Sequence, residues 1–145
     1  MESKQVILEK EAQKLISTPY KYGAKPEEAP EFFDCSSLTQ YLYKKIGVEL
    51  PRSSILQATV GKEIFYPQEK LEIGDLIFMR RTKGHYDDEL FPNHPPVYIG
   101  HVAVYIGDEK IIQATGSAGK VVEENFKEFT NQLNCSIVMV KRVLA

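Results

Sequence analysis

The sequence predicts an α+β fold in which N-terminal helices pack on a mostly antiparallel sheet of five to six strands. Apolar residues recur at helical spacing up to about residue 62, and from residue 70 the spacing becomes strand-like. Helices come first and strands later, which is not the alternation of βαβ units. A length of 145 residues suits one domain, taken here as residues 1–145. A chain of that size buries roughly 70% of its unfolded surface, so an ordinary core can hold it.

Ser3 is placed to cap a first helix whose face carries Leu8, Ala12, Leu15 and Ile16, and Thr18-Pro19 stops it. A loop from Tyr20 to Phe33 follows, broken by Gly23, Pro26 and Pro30. Asp34 is a cap for the second helix, where Leu38, Tyr41, Leu42 and Ile46 form one stripe before Gly47. A third helix is expected from Ser53 or Ser54 to about Lys62. Strands are expected at Leu76–Met79, Val97–Ile106, Lys110–Ala114, Val121–Val122 and Ile137–Val143, with a small helical piece near Phe126–Phe129. Between Arg80 and Pro96 lies an irregular segment of about 17 residues, a length at which loops tend to be functional or mobile.

Composition excludes several classes. With 18 Lys+Arg against 20 Asp+Glu, the net charge of −2 leaves no basic footprint, so nucleic acid is not an expected partner. Apolar runs are all interrupted well short of the ~18 residues that a membrane span needs. Met1-Glu2-Ser3-Lys4-Gln5 has no apolar signal core, and the sequence therefore predicts a cytoplasmic chain. No residue pattern sets an oligomeric state. Two cysteines in very different settings, Cys35 and Cys135, argue against a disulfide framework and raise the prospect of a reactive thiol.

Cys35 follows the cap of the second helix, where unpaired N–H groups favour thiolate over thiol and can hold an oxyanion. Free cysteine is also a common small buried hydrophobe, so the thiol alone decides nothing. Cys135, leading into Ile137, Val138 and Val140, has no such setting and reads as structural. A thiol nucleophile needs a base. His85 and His94 lie in the long loop, whereas His101 lies in Gly100-His101-Val102-Ala103-Val104-Tyr105-Ile106. Val102, Val104 and Ile106 make one face of that strand, and His101 shares the other with Ala103 and Tyr105. Gln113, on the returning strand, is the candidate to orient the imidazole. A three-residue hairpin loop, Gly107 to Glu109, sets Ala103 opposite Gln113 and His101 opposite Thr115. An even loop turns Gln113 to the wrong face.

Six pieces in unbroken order, from about Tyr20 to Val122, resemble the NlpC/p-sixty family of papain-like cysteine peptidases. They are Pro19-Tyr20-Lys21-Tyr22-Gly23, Phe33-Asp34-Cys35-Ser36-Ser37, Leu50-Pro51-Arg52-Ser53-Ser54, Gly74-Asp75-Leu76-Ile77-Phe78, Gly100 to Gly107 and Ile111-Ile112-Gln113-Ala114. The resemblance implies a papain-like α+β core and hydrolysis of peptidoglycan stem peptides (muropeptides), at the D-γ-glutamyl–diamino-acid bond, without a cofactor. It places the nucleophile on Cys35, the base on His101 and the orienting group on Gln113, with Tyr20, Asp34, Ser36 and Ser54 contacting substrate. Without an export signal, imported or recycled muropeptides are the expected substrate, and a secreted or phage-borne enzyme is the alternative. An acyltransferase or thioesterase on the same scaffold, or a catalytically silent binding module, are the rival functions.

The sequence departs from the family pattern in three places. Gln113 stands where the family most often has His, although an amide can accept the imidazole N–H. Ser37 replaces the Gly of Asp-Cys-Ser-Gly, an easy exchange inside a helix. The connection from Arg80 to Gly100 is longer than usual and is expected to overhang the site. It carries His85, Asp87, Asp88, Glu89 and His94, which suit zinc by residue type but match no zinc spacing. No metal is therefore assigned, and a lid over the groove or a solvated insertion are the other readings.

Overall fold

The computed structural model describes residues 2–80, 90–92, 94–95, 98–132 and 135–144. Four α-helices, α1 (Lys4–Lys14), α2 (Cys35–Lys44), α3 (Ser54–Gln57) and α4 (Phe126–Thr130), and a 3₁₀ turn at Pro26–Glu28 accompany six strands. The strands are β1 (Lys62–Ile64), β2 (Asp75–Arg80), β3 (His101–Gly107), β4 (Lys110–Thr115), β5 (Lys120–Asn125) and β6 (Ser136–Arg142). They form one sheet in the order β1-β6-β2-β3-β4-β5, and every pairing is antiparallel. This is the predicted α+β architecture at the upper end of the expected strand count.

Both faces of the central strands are covered, which explains why β2, β3 and β4 are buried along nearly their whole length. Leu76 and Phe78 on β2, Val102, Val104 and Ile106 on β3, and Ile112 and Ala114 on β4 meet Leu8 and Ala12 of α1 and Leu38 and Leu42 of α2. On the reverse face, Ile77, Met79, Ala103 and Ile111 pack with Ile64, Phe126 and Phe129. The division of β3 into two faces follows the expected alternation. Leu38 and Leu42 are fully buried, and each such side chain contributes roughly 1.5–3 kcal/mol by leaving water. That burial fixes α2 against β3 and so aims the start of the helix.

Three elements depart from the sequence reading. Ile16 lies beyond the end of α1 and is 37% exposed, because the helix closes at Leu15 and Ser17 turns left-handed (φ 78°). The third helix is a single turn, and Lys62 opens strand β1 instead of ending a helix. Gly61 makes the break: its φ is 79°, and a Cβ there would lie 2.7 Å from the Arg142 carbonyl oxygen on β6. Of the strand expected over Val97–Ile106, Val97 lies outside the described residues and β3 begins at His101. His85, Asp87, Asp88 and Glu89 of the expected overhang lie outside the described residues. Its far end is anchored at His94, with Nε2 3.5 Å from the Glu63 carboxylate of β1 and Nδ1 2.8 Å from the Pro95 carbonyl oxygen.

Candidate active site

The nucleophile candidate sits where the chain turns into α2. Asp34 caps the helix by accepting from the Ser37 N–H (2.8 Å), and the Ser37 hydroxyl accepts from the Asp34 N–H (2.9 Å). This reciprocal box leaves Cys35 as the first helical residue, in the turn whose N–H groups have no intrahelical acceptor. Burial is the largest influence on the thiol and pushes it above its ordinary value. Hydrogen bonding from the Val102 backbone opposes burial, the Asp34 carboxylate adds to the rise, and the Ser36 backbone and Arg52 guanidinium pull down. The net direction is up. The helix terminus thus does not by itself make the expected thiolate, since desolvation disfavours the charged form more strongly. A neighbouring base would favour ionisation here.

His101 and Gln113 meet across the β3–β4 hairpin: His101 Nε2 is 2.8 Å from Gln113 Oε1. The expected register is present but arises differently from the predicted loop. The turn has two residues, Asp108 and Glu109, both left-handed (φ 52° and 59°), closed by the Gly107–Lys110 pair. An even turn alone would have faced Gln113 the wrong way. A bulge between Tyr105 and Gly107 supplies the missing residue, so Tyr105 pairs with Ile111 and Val104 with Ile112. Continued along the strands, that register sets Ala103 opposite Gln113 and His101 opposite Thr115. His101 is 6% exposed and its ring lies 6.2 Å from that of Phe129; Gln113 is fully buried.

Cys35 and His101 face the same space. A cavity of about 290 Å³ opens between them, walled by Tyr20, Gly100 and residues 114–117. Tyr20 is held there by its N–H to the Gly119 carbonyl (3.0 Å) and by a bridge to Phe33. Burial, then the neighbouring Cys35 and Asp34, raise its phenol, so Tyr20 offers a neutral O–H donor. Gly116 lies under the Tyr20 ring, where an added Cβ would sit 3.5 Å from it. A larger groove, of about 400 Å³ beside Gln40, Tyr41 and Lys44, contains neither Cys35 nor His101.

Of the residues expected to contact substrate, only Tyr20 lines this cavity. The Asp34 carboxylate accepts from the Gly23 N–H (3.2 Å), the Ser37 N–H and Arg52 Nη2 (2.8 Å). The Ser36 hydroxyl accepts from Arg52 Nη1 (2.8 Å) and lies 3.4 Å from Asp34 Oδ1. Both side chains are therefore occupied in the support beneath the thiol. Ser54 opens α3 and is not in the cavity wall.

Arg52, part of the Leu50–Ser54 motif, ties α2 to the Ala24 carbonyl and to Asp34, a role that sequence spacing does not signal. Gln57, fully buried, donates to the Ser36 and Pro51 carbonyls (3.0 and 2.8 Å) and accepts from the Thr39 hydroxyl (2.6 Å). Its only sequence signal is a polar residue among apolar ones in a short helix. Among the described residues no three His, Cys, Asp or Glu side chains gather to hold a metal, and no helix is long and apolar enough to cross a membrane.

A helix-borne thiol facing a strand-borne imidazole on an antiparallel sheet defines a papain-like α+β fold of the NlpC type. Residues 17–139 match the NlpC/P60 family, and the chain belongs to that family. It is 32% identical over 122 residues to gamma-DL-glutamyl hydrolase of Bacillus subtilis, covering 84% of this chain and 26% of that protein. It is 30% identical over 116 residues to the peptidoglycan endopeptidase RipB of Mycobacterium tuberculosis, covering 73% and 41%. The chain thus spans less than half the length of either relative. The crystal structure of the NlpC/p60 domain of the peptidoglycan hydrolase SagA superposes with a TM-score of 0.68 at 25% identity, covering 95% of this chain and 97% of that one.

Proposed function

We propose that this chain is a cysteine peptidase that hydrolyses peptidoglycan-derived stem peptides at the D-γ-glutamyl–diamino-acid bond. The observation that carries the reading is the His101–Gln113 hydrogen bond at the wall of the cavity that also holds Cys35. The buried Gln113 carbonyl accepts the Nε2–H, which leaves the imidazole's Nδ1 as the basic nitrogen. His101 takes the thiol proton as Cys35 Sγ attacks the scissile carbonyl, and backbone N–H groups at the start of α2 hold the oxyanion. The protonated imidazole then gives its proton to the leaving amine, and water hydrolyses the thioester by the same steps in reverse. No cofactor enters.

The choice of bond rests on the likeness to gamma-DL-glutamyl hydrolase and to RipB. A small cavity with Thr115 and Ser117 in its wall also favours a polar peptide over the long apolar groove that an acyl-chain transferase needs. Mass spectrometry of L-Ala-γ-D-Glu-diaminopimelate peptides after incubation tests the reading. Release of L-Ala-D-Glu is expected. An intact peptide beside a rapidly alkylated Cys35 would keep the nucleophile and discard the substrate.

A further inference from the structure

The hydrogen-bond chain does not end at Gln113. Its Nε2 donates to Glu124 Oε1 at 3.3 Å, so the chain runs from β3 through β4 to β5. Glu124 pairs with Ile111 and lies diagonal to Gln113 on the same face, because Gln113 itself pairs with Val122. Adjacent Glu123 is tied to Gln13 and Lys110, whereas Glu124, half-buried, has no ion pair among the described residues. A carboxylate left without a cation beside a fully buried amide calls for an account.

We propose that Glu124 is a positioning residue that fixes the Gln113 amide and, through it, the proton on His101. This rests on the catalytic reading of Cys35 and His101 above. An ionised carboxylate can only accept, so the Gln113 NH₂ must turn toward Glu124 and its carbonyl toward His101. The carbonyl can only accept, so Nε2 carries the hydrogen and Nδ1 keeps its lone pair. Turned over, the amide would present NH₂ to Nε2 and drive the hydrogen to Nδ1, where no thiol proton could be taken. In place of the family's usual His, an amide has two orientations, and Glu124 removes the unproductive one. Among the described residues, the titratable groups set around this assembly include Cys35 from α2 and Tyr20 from the preceding loop, which line the cavity with His101, Tyr105 from β3 on the same sheet face, and Glu124 from β5.

The test is ¹⁵N NMR of the His101 ring near neutral pH in the full chain, alongside steady-state hydrolysis. Wild type is expected to show the Nε2–H tautomer. Glu124→Leu is expected to give a mixture of tautomers and about a tenfold loss in kcat with KM little changed, the scale typical of groups that orient a reacting side chain. Combining Gln113→Glu with Glu124→Gln puts the carboxylate directly on Nε2, restoring a single tautomer. An unmixed Nε2–H tautomer in a folded Glu124→Leu protein would overturn the proposal. The tautomer reading holds even if the stem peptide is not the substrate, so the two ideas fail separately.

Discussion

Among the described residues, the carboxylate–arginine pairs Asp75–Arg142 and Asp34–Arg52 are built for different ends. Asp75 and Arg142 join β2 to β6 as a parallel fork, Nε to Oδ1 at 2.8 Å and Nη2 to Oδ2 at 2.9 Å, and the Asp75 side chain is 1% exposed. Asp34 and Arg52 touch through one nitrogen, and the Arg52 side chain is 34% exposed. Arg52 divides its remaining bonds between Ser36 and the Ala24 carbonyl, so the second pair links three segments beneath a thiol. One pair holds strands together; the other sets the charge beside Cys35. The two lie toward opposite ends of α2: Asp34 caps its start, and Tyr43 near its end faces Gly74 and feels Asp75.

If that division is right, the pairs respond differently to mutation. Asp75→Ala removes the buried partner of Arg142, which keeps Glu72 (2.9 Å) and the Lys70 carbonyl (2.9 Å), and is expected to cost about 3 kcal/mol, the low end for breaking a buried pair, by denaturant unfolding. In the protein that stays folded, Cys35 alkylation should not change. His101→Ala should leave Cys35 titrating above the ordinary thiol value of about 8.5, since burial then acts unopposed by a base. Iodoacetamide labelling against pH reads this, and a midpoint below that value would contradict the upward shift. Around the other pair, Arg52→Met removes a cation that lowers the thiol and should slow alkylation at fixed pH. Asp34→Asn keeps a cap, removes an anion that raises the thiol, and should quicken it. If both changes moved labelling in one direction, the electrostatic account of this pair would fail.

The smallest expected effect is at Tyr43, whose buried hydroxyl has no hydrogen-bond partner among the described residues. Burial, aided by Asp75, raises its phenol. A pKa raised on folding means the stability linked to it is present below the unfolded tyrosine value of about 10 and is lost as pH rises beyond it. Tyr43→Phe should therefore be neutral or stabilising by about 1 kcal/mol at pH 7 and flatten the fall in stability above pH 10. A clear loss at pH 7 would mean the hydroxyl has a partner, such as a buried water.

These contrasts also mark what could be read in advance. Asp34, Leu38 and Leu42 announce a capped amphipathic helix because each acts within a turn or two, and the faces of β3 follow from strict alternation. The six pieces between Pro19 and Ala114 carry the family likeness. Strand β1 leaves no sequence signal because three residues on a sheet edge show no period. The even turn with its compensating bulge gave the right Gln113 face for a different reason, since backbone pairing is not written in side-chain pattern. Asp34 and Ser36 stand in a motif that the sequence displays, but their bonds to Arg52 come from a loop that only tertiary folding brings near. The helix terminus, legible in the sequence, favours the Cys35 thiolate; the burial that opposes it depends on the whole core.

The central claim is that Cys35 is a nucleophile toward a γ-glutamyl peptide bond. It is tested most directly by incubating purified wild-type and Cys35→Ala protein with L-Ala-γ-D-Glu-diaminopimelate peptide and following the products by mass spectrometry. The account predicts cleavage after D-Glu in the wild type and none in Cys35→Ala. Cleavage that survives in Cys35→Ala, or an intact peptide together with a Cys35 that alkylates no faster than a free thiol, would contradict it.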